Sequence, residues 1–82
     1  MFLVKVYVSY KESILDPQGE AIKKAIHGMG YNMVEEVRMG KYFELRIVEN
    51  DRAGLEEKID DICDKLLANV TMESYRYEIE VE

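Results

Sequence analysis

From Met33 to Glu49 the chain reads MVEEVRMGKYFELRIVE, and most of its apolar residues fall on alternate positions. Met33, Val37, Met39, Phe43, Leu45 and Ile47 lie on one side, with Glu35 and Lys41 as exceptions within the run, while the other side includes Glu36, Arg38, Glu44 and Arg46. A period of two predicts a strand with one buried face. The alternative is a hairpin turning at Met39-Gly40. It sets Arg38 opposite Lys41 and Val37 opposite Tyr42, which moves Phe43, Leu45 and Ile47 to the face of Glu36. The pattern therefore favours one continuous strand, with Gly40 as the place to bend or bulge because it has no Cβ. At about 3.3 Å per residue such a strand runs ~50 Å, more than two short helices cover. In either case part of its apolar face lies beyond the monomer's own helices, which predicts a partner, most simply a second copy of the chain.

The remaining segments are shorter. Phe2, Val4, Val6 and Val8 alternate with Leu3, Lys5, Tyr7 and Ser9 and predict a first strand. At Asp16-Pro17 an aspartate is placed to cap free amides, and a proline takes the first helical position. Ala21, Ile22, Ala25, Ile26 and Met29 then form an apolar stripe up to Gly30, which is suited to a left-handed helix end; Gly28 weakens the last turn. Asn50-Asp51 offers a second cap. Leu55, Ile59, Ile62, Cys63, Leu66 and Leu67 follow on one stripe, opposite Glu56, Glu57, Asp60, Asp61 and Asp64, as an amphipathic helix of about four turns. Asn69 is suited to end it, and Tyr75, Tyr77, Ile79 and Val81 alternate as a last strand. The order is β-α-β-α-β, or β-α-β-β-α-β if the middle strand folds back. The expected fold is α+β, with two helices packed on one face of an antiparallel sheet, related to the ferredoxin-like arrangement and containing a long bent central strand.

Eighty-two residues form a single domain, 1–82, with a modest core. With 48% hydrophobic and 34% charged residues the chain is too apolar for disorder, and it has no apolar run that spans a membrane. The alternating N-terminus is unlike a signal peptide, so a cytoplasmic location is expected. A net charge of −6 disfavours nucleic acid. One cysteine, Cys63, and one histidine, His27, leave almost nothing from which to build a disulfide, a zinc site or a cysteine–histidine catalytic pair. Both residues read as structural: Cys63 as a small hydrophobe on the second helix, His27 as a partly buried or surface side chain. The acidic face of the second helix reads as a solvated surface. Tyr75 and Tyr77 serve equally as core-facing strand residues or as interface anchors. Arg38 and Lys41 flank the glycine bend and are candidates for an anion or a partner's carboxylate. No phosphate loop, nucleophile elbow or catalytic carboxylate pair is present, so no catalytic, cofactor-binding or metal residue is assigned.

Three segments, ILDPQGEAIKKAIHGMGY at 14–31, VRMGKYFEL at 37–45 and KLLAN at 65–69, together resemble the PurS family, the small subunit of phosphoribosylformylglycinamidine (FGAM) synthase. One departure is local: relatives typically continue Leu-Ala-Asn-Pro, where this chain has Val70 after Asn69. The resemblance implies a part in a three-component enzyme of purine biosynthesis. A glutaminase, PurQ, releases ammonia, and PurL uses ATP and magnesium to install it on formylglycinamide ribonucleotide. The small subunit binds no cofactor and carries neither active site; it bridges the two and assists ammonia transfer. The resemblance also implies a homodimer, or a dimer of dimers. Joined to the surplus strand surface, it sets Asp16, Pro17, Gln18, Arg38, Gly40, Lys41 and Tyr42 as the expected partner interface. The rival reading from another class is a small-molecule-binding regulatory dimer on a ferredoxin-like scaffold.

Overall fold

Phe2, Val4, Val6 and Val8 are each no more than 8% exposed, and the strand that carries them organises the chain. The computed structural model describes all 82 residues. Strand β1 (Phe2–Tyr10) is the middle of a three-stranded antiparallel sheet, flanked by β2 (Gly40–Ile47) and β3 (Glu73–Val81). Register aligns like with like. Val6 lies between Phe43 and Tyr77, and Val4 between Leu45 and Ile79, so each cross-strand row adds apolar area to one face. Helix α2 (Leu55–Ile62) and the turn that continues it cover that face with Leu55, Ile59 and Cys63, all fully buried. The opposite face is polar and aromatic: Tyr7 and Tyr42 meet at 5.1 Å, the Arg76 guanidinium lies 4.0 Å above the Tyr7 ring, and Lys5 pairs with Glu80 at 3.0 Å.

Helix α1 (Pro17–Gly28) begins as its sequence predicts, with Asp16 in the extended conformation and its carboxylate accepting from the Gly19 amide. The helix ends at Gly28, and Gly30 follows with φ of 97°. Gly19 is its only buried residue; Ile22 and Met29 are 39% and 71% exposed, and none of its side chains joins the core cluster. The α+β class, with two helices and an antiparallel sheet, is the one expected.

Three details differ from expectation. First, there is no long central strand: ladder pairing begins at Gly40, residues 34–39 run without a strand partner, and β2 lies at an edge with β1 at the centre. The physical reason is the length of β1. Ser9 is the last β1 residue to pair with this side, opposite Gly40, so nothing in the chain is left to pair with the residues before it. The hairpin alternative fails as well, since residues 33–39 form no strand of their own.

Second, α2 starts later than the Asn50-Asp51 cap. The Asp51 carboxylate accepts from the Ala53 amide inside the loop, and Gly54, in the left-handed region at φ 78°, opens the helix. Third, α2 runs into a π-helical turn, Cys63–Leu67, closed by the Ala68 amide donating to the Cys63 carbonyl. The wider turn breaks the stripe: Cys63 stays buried, whereas Leu66 is 79% exposed.

Candidate functional site

Two of the three sequence segments that carry the family resemblance, 14–31 and 37–45, meet in space at the base of α1. Asp16 lies at the centre. Its Oδ1 accepts from the Gly19 amide at 2.9 Å, and its Oδ2 accepts from the Met39 amide at 2.7 Å, joining residues 23 apart in the chain. These two amides hold the carboxyl below the usual carboxylate range, with the Arg38 charge adding in the same direction. Gly19 packs so closely on the incoming segment that a Cβ there would lie 2.2 Å from the Val37 carbonyl oxygen. Arg38 donates to the Tyr10 carbonyl and lies 3.5 Å from Glu36, so its side chain ties the end of β1 to the same junction.

Gly40 answers a second close approach. A Cβ at this position would lie 2.5 Å from the Val8 carbonyl oxygen, and it is here that β2 joins the sheet. Lys41 then reaches across the covered face, with Nζ at 3.3 Å from the Leu67 carbonyl and 3.4 Å from Glu73. A cation on the carbonyls that end a helix is favourable. Glu73 also accepts from the Asn69 amide at 2.8 Å, which fixes the turn into β3. Tyr42 faces the opposite way. Its hydroxyl donates to Glu44 at 2.8 Å, and the neighbouring carboxylate pushes its pKa up to about 12.

Of the expected interface residues, the structure thus gathers Asp16, Gln18, Arg38, Gly40 and Lys41 at one junction, with Gln18, Gly40 and Lys41 lining a small cleft beside Tyr10, Met39 and Glu73. Pro17 is exposed at the first position of α1, and Tyr42 stands on the open sheet face in a shallow hollow with Tyr7, Ser9, Ser74 and Arg76. Within the chain, Asp16 and Gly19 fasten the start of α1 to residues 37–39, and Gly40 lets β2 close onto β1. Sequence reasoning missed Gly19 as a close-packing position and Met39 as an amide partner; the glycine in LDPQG was the available signal for the first.

His27, Cys63 and Tyr75 are engaged in the fold. His27 Nε2 donates to the Val34 carbonyl at 2.7 Å, and burial raises the Cys63 thiol pKa. Tyr75, which donates to Asp60 at 3.1 Å, is likewise raised, chiefly by burial. No three His, Cys, Asp or Glu side chains converge in a way that would hold a metal ion. No helix is long and apolar enough to cross a membrane.

The Asp16 geometry predicts a pH dependence. A carboxyl depressed in the folded state adds stability that is fully present above its unfolded pKa, about 3.9, and is lost as pH falls through the lower folded value. Urea unfolding followed from pH 7 downward is expected to show a steeper loss below about pH 4 in the wild type than in Asp16→Asn, whose curve starts lower and runs flatter.

The comparison with known proteins rests on nearly the whole chain. The sequence profile of the PurS family, described as phosphoribosylformylglycinamidine (FGAM) synthase, matches residues 3–81. The chain belongs to the PurS family. Phosphoribosylformylglycinamidine synthase subunit PurS of Bacillus subtilis is 56% identical over 80 residues, covering 98% of this chain and 94% of that protein. The PurS subunit of Synechocystis is 41% identical over 75 residues, covering 92% and 75%. Among solved structures, B. subtilis PurS superposes with a TM-score of 0.93 over 99% of this chain and 100% of its own. Methanocaldococcus jannaschii PurS, one of the subunits of formylglycinamide ribonucleotide amidotransferase in the purine biosynthetic pathway, superposes with a TM-score of 0.86 at 31% identity, over the full length of both chains. The family is thus that of a subunit of a purine-biosynthetic ligase, and this chain has both its sequence and its fold.

Proposed function

We propose that this chain is the bridging subunit of a cytoplasmic FGAM synthase and carries no active site of its own. It couples the PurQ glutaminase to PurL, so that ammonia released from glutamine reaches the ATP- and magnesium-dependent conversion of formylglycinamide ribonucleotide. The observation that carries the reading is the end-to-end match with a PurS subunit in both sequence and fold, at 56% identity and a TM-score of 0.93. The arrangement of the junction supports it. Asp16, Arg38 and Lys41 are engaged with the chain's own backbone, as suits a subunit that presents a shaped surface. The working form is a homodimer, and the exposed residues around Pro17, Gln18 and Tyr42 face the partners.

The test is turnover by purified PurL and PurQ with and without this protein. Glutamine-dependent turnover is expected to require the chain, and ammonium-driven turnover by PurL to be indifferent to it. If both proceed equally without it, the coupling role is wrong.

A further inference from the structure

The charge of the chain is lopsided. Residues 1–54 hold eight basic and eight acidic side chains, whereas residues 55–82 hold three basic and nine acidic, so the whole net charge of −6 sits on α2, the π turn and β3. Three of those carboxylates, Glu56, Asp60 and Asp64, recur at every fourth residue and share one flank of the helix. Only Glu56 has a basic partner in the chain, Arg52 at 3.9 Å. The contacts show where the flank points. Asp60 accepts from the Tyr75 hydroxyl. Burial raises the hydroxyl pKa of both Tyr75 and Tyr77, and among the charges that add to it Asp64 acts on Tyr75, Glu56 on Tyr77 and Asp60 on both. The acidic flank therefore overhangs β3, while Lys58, on the other flank, pairs with Glu49 beyond the end of β2.

Beneath the overhang lies an open backbone edge. β1 pairs with one side of β3 through nine consecutive residues, from Phe2 opposite Val81 to Tyr10 opposite Glu73, and no strand of the chain pairs with the other side. The register has no bulge, and the strand ESYRYEIEV has no proline and no lysine, so the usual means of blunting an edge are missing. It leaves about 30 Å of strand with one side unpaired.

We propose that the outer edge of β3 accepts a further strand, an extended segment of a partner subunit that carries lysine or arginine at alternate positions. The proposal rests on the coupling role above for the source of that segment. Main-chain hydrogen bonds along the edge hold such a segment, and its alternate side chains select it. Spacing agrees: carboxylates four residues apart on a helix repeat about every 6 Å, and alternate residues of a strand about every 6.6 Å. Basic side chains on the helix side lay their aliphatic stems on Tyr75, Tyr77 and Ile79, which are half-buried, and bring their charged ends to Glu56, Asp60 and Asp64. On the opposite face no further charge is needed, because Glu78, Glu80 and Glu82 are already paired with Arg76, Lys5 and Arg46. A second copy of the chain is the poorer occupant: pairing β3 with its own image about a two-fold axis sets two acidic flanks of α2 side by side.

The test is amide hydrogen exchange of the 15N-labelled chain, alone and mixed with purified PurL and PurQ, with glutamine-dependent turnover read on the same mixture. In the free chain the outward amides of β3, every second one between Glu73 and Val81, are expected to exchange fast, and in the mixture to slow on the order of a hundredfold or more. The double variant Glu56→Lys, Asp64→Lys, at two exposed sites, is expected to keep its circular dichroism and to weaken assembly on the order of tenfold or more. If that variant misfolds, the wild type answers the same question, since the slowing must diminish as salt is raised from about 0.05 to 0.5 M. Assembly indifferent to both charge reversal and salt would overturn the proposal, as would β3 amides that slow only with rising concentration of the chain alone, which gives the edge to a second copy. Unslowed β3 amides in a mixture with coupled turnover would overturn the proposal and leave the coupling role standing. Slowed amides without coupling would do the reverse, and failure to assemble at all would overturn both.

Discussion

Gly19→Ala is expected to destabilise the protein by about 1–3 kcal/mol, while Gly28→Ala in the same helix stabilises it by about 0.5–1 kcal/mol. By helix propensity alone both changes help, since alanine surpasses glycine by up to about 1 kcal/mol. At Gly28 nothing lies within 4 Å of the new Cβ, and the propensity gain stands. At Gly19 the new atom would lie 2.2 Å from the Val37 carbonyl and 2.8 Å from the Asp16 carboxylate. Neither neighbour yields without loss. One is backbone, and the other holds two amides in place. To make room, α1 must move off the segment it is fastened to, and the cost of overpacking exceeds the propensity gain. Urea midpoints of the two variants against wild type, at one fixed protein concentration, would decide the matter; equal signs would mean that the junction is looser than its distances indicate.

Ile59→Ala is expected to cost about 2–5 kcal/mol, and Leu66→Ala less than about 0.5 kcal/mol. Ile59 is fully buried against β1 in a cluster of only eight buried residues, and a cavity there has few neighbours able to collapse into it. An 82-residue domain has roughly 4–12 kcal/mol of stability in total, so this one truncation removes a large fraction of it. Leu66, seven residues on, belongs to the same apolar stripe when the sequence is read at helical spacing, yet its side chain stands in solvent. Thermal unfolding compares the two directly. A large loss for Leu66→Ala would show that the π turn rewinds as an α-helix in solution.

That pair also shows what is legible in the sequence and what is not. Strand β1, the cap at Asp16 and the end of α1 follow from local rules: period-two alternation, a carboxylate before a proline, and a glycine after the last apolar position. The winding of Cys63–Leu67 does not. A π turn differs from an α turn by one residue per turn, and the side-chain pattern CDKLL is compatible with both. The reach of β2 is illegible for a different reason. Alternation from Met33 to Glu49 is present, but a strand needs a partner as well as a pattern, and β1 ends before that partner is supplied. The surplus apolar surface read from the sequence is real, and it lies on α1 as well as on the strand. Of the candidate interface residues, Arg38 and Lys41 read from the sequence as candidates for an anion or a partner's carboxylate because sequence shows charge without its backbone partner; the carbonyls of Tyr10 and Leu67 become visible only in the fold.

Asp16 also bears on how this corner can be moved. Its two oxygens answer two separate stretches of sequence, so LDPQG and VRMGK are halves of one structural unit. Neither half functions alone: an aspartate without a backbone amide at position 39 caps one helix and fastens nothing, and a flush-fitting glycine at 19 has no purpose unless the later segment returns to lie against it. The later segment answers with backbone, the amide of position 39 and the carbonyl of position 37, so its side chains there can change while the fastening stays, and a graft of this corner into a foreign scaffold must carry both stretches.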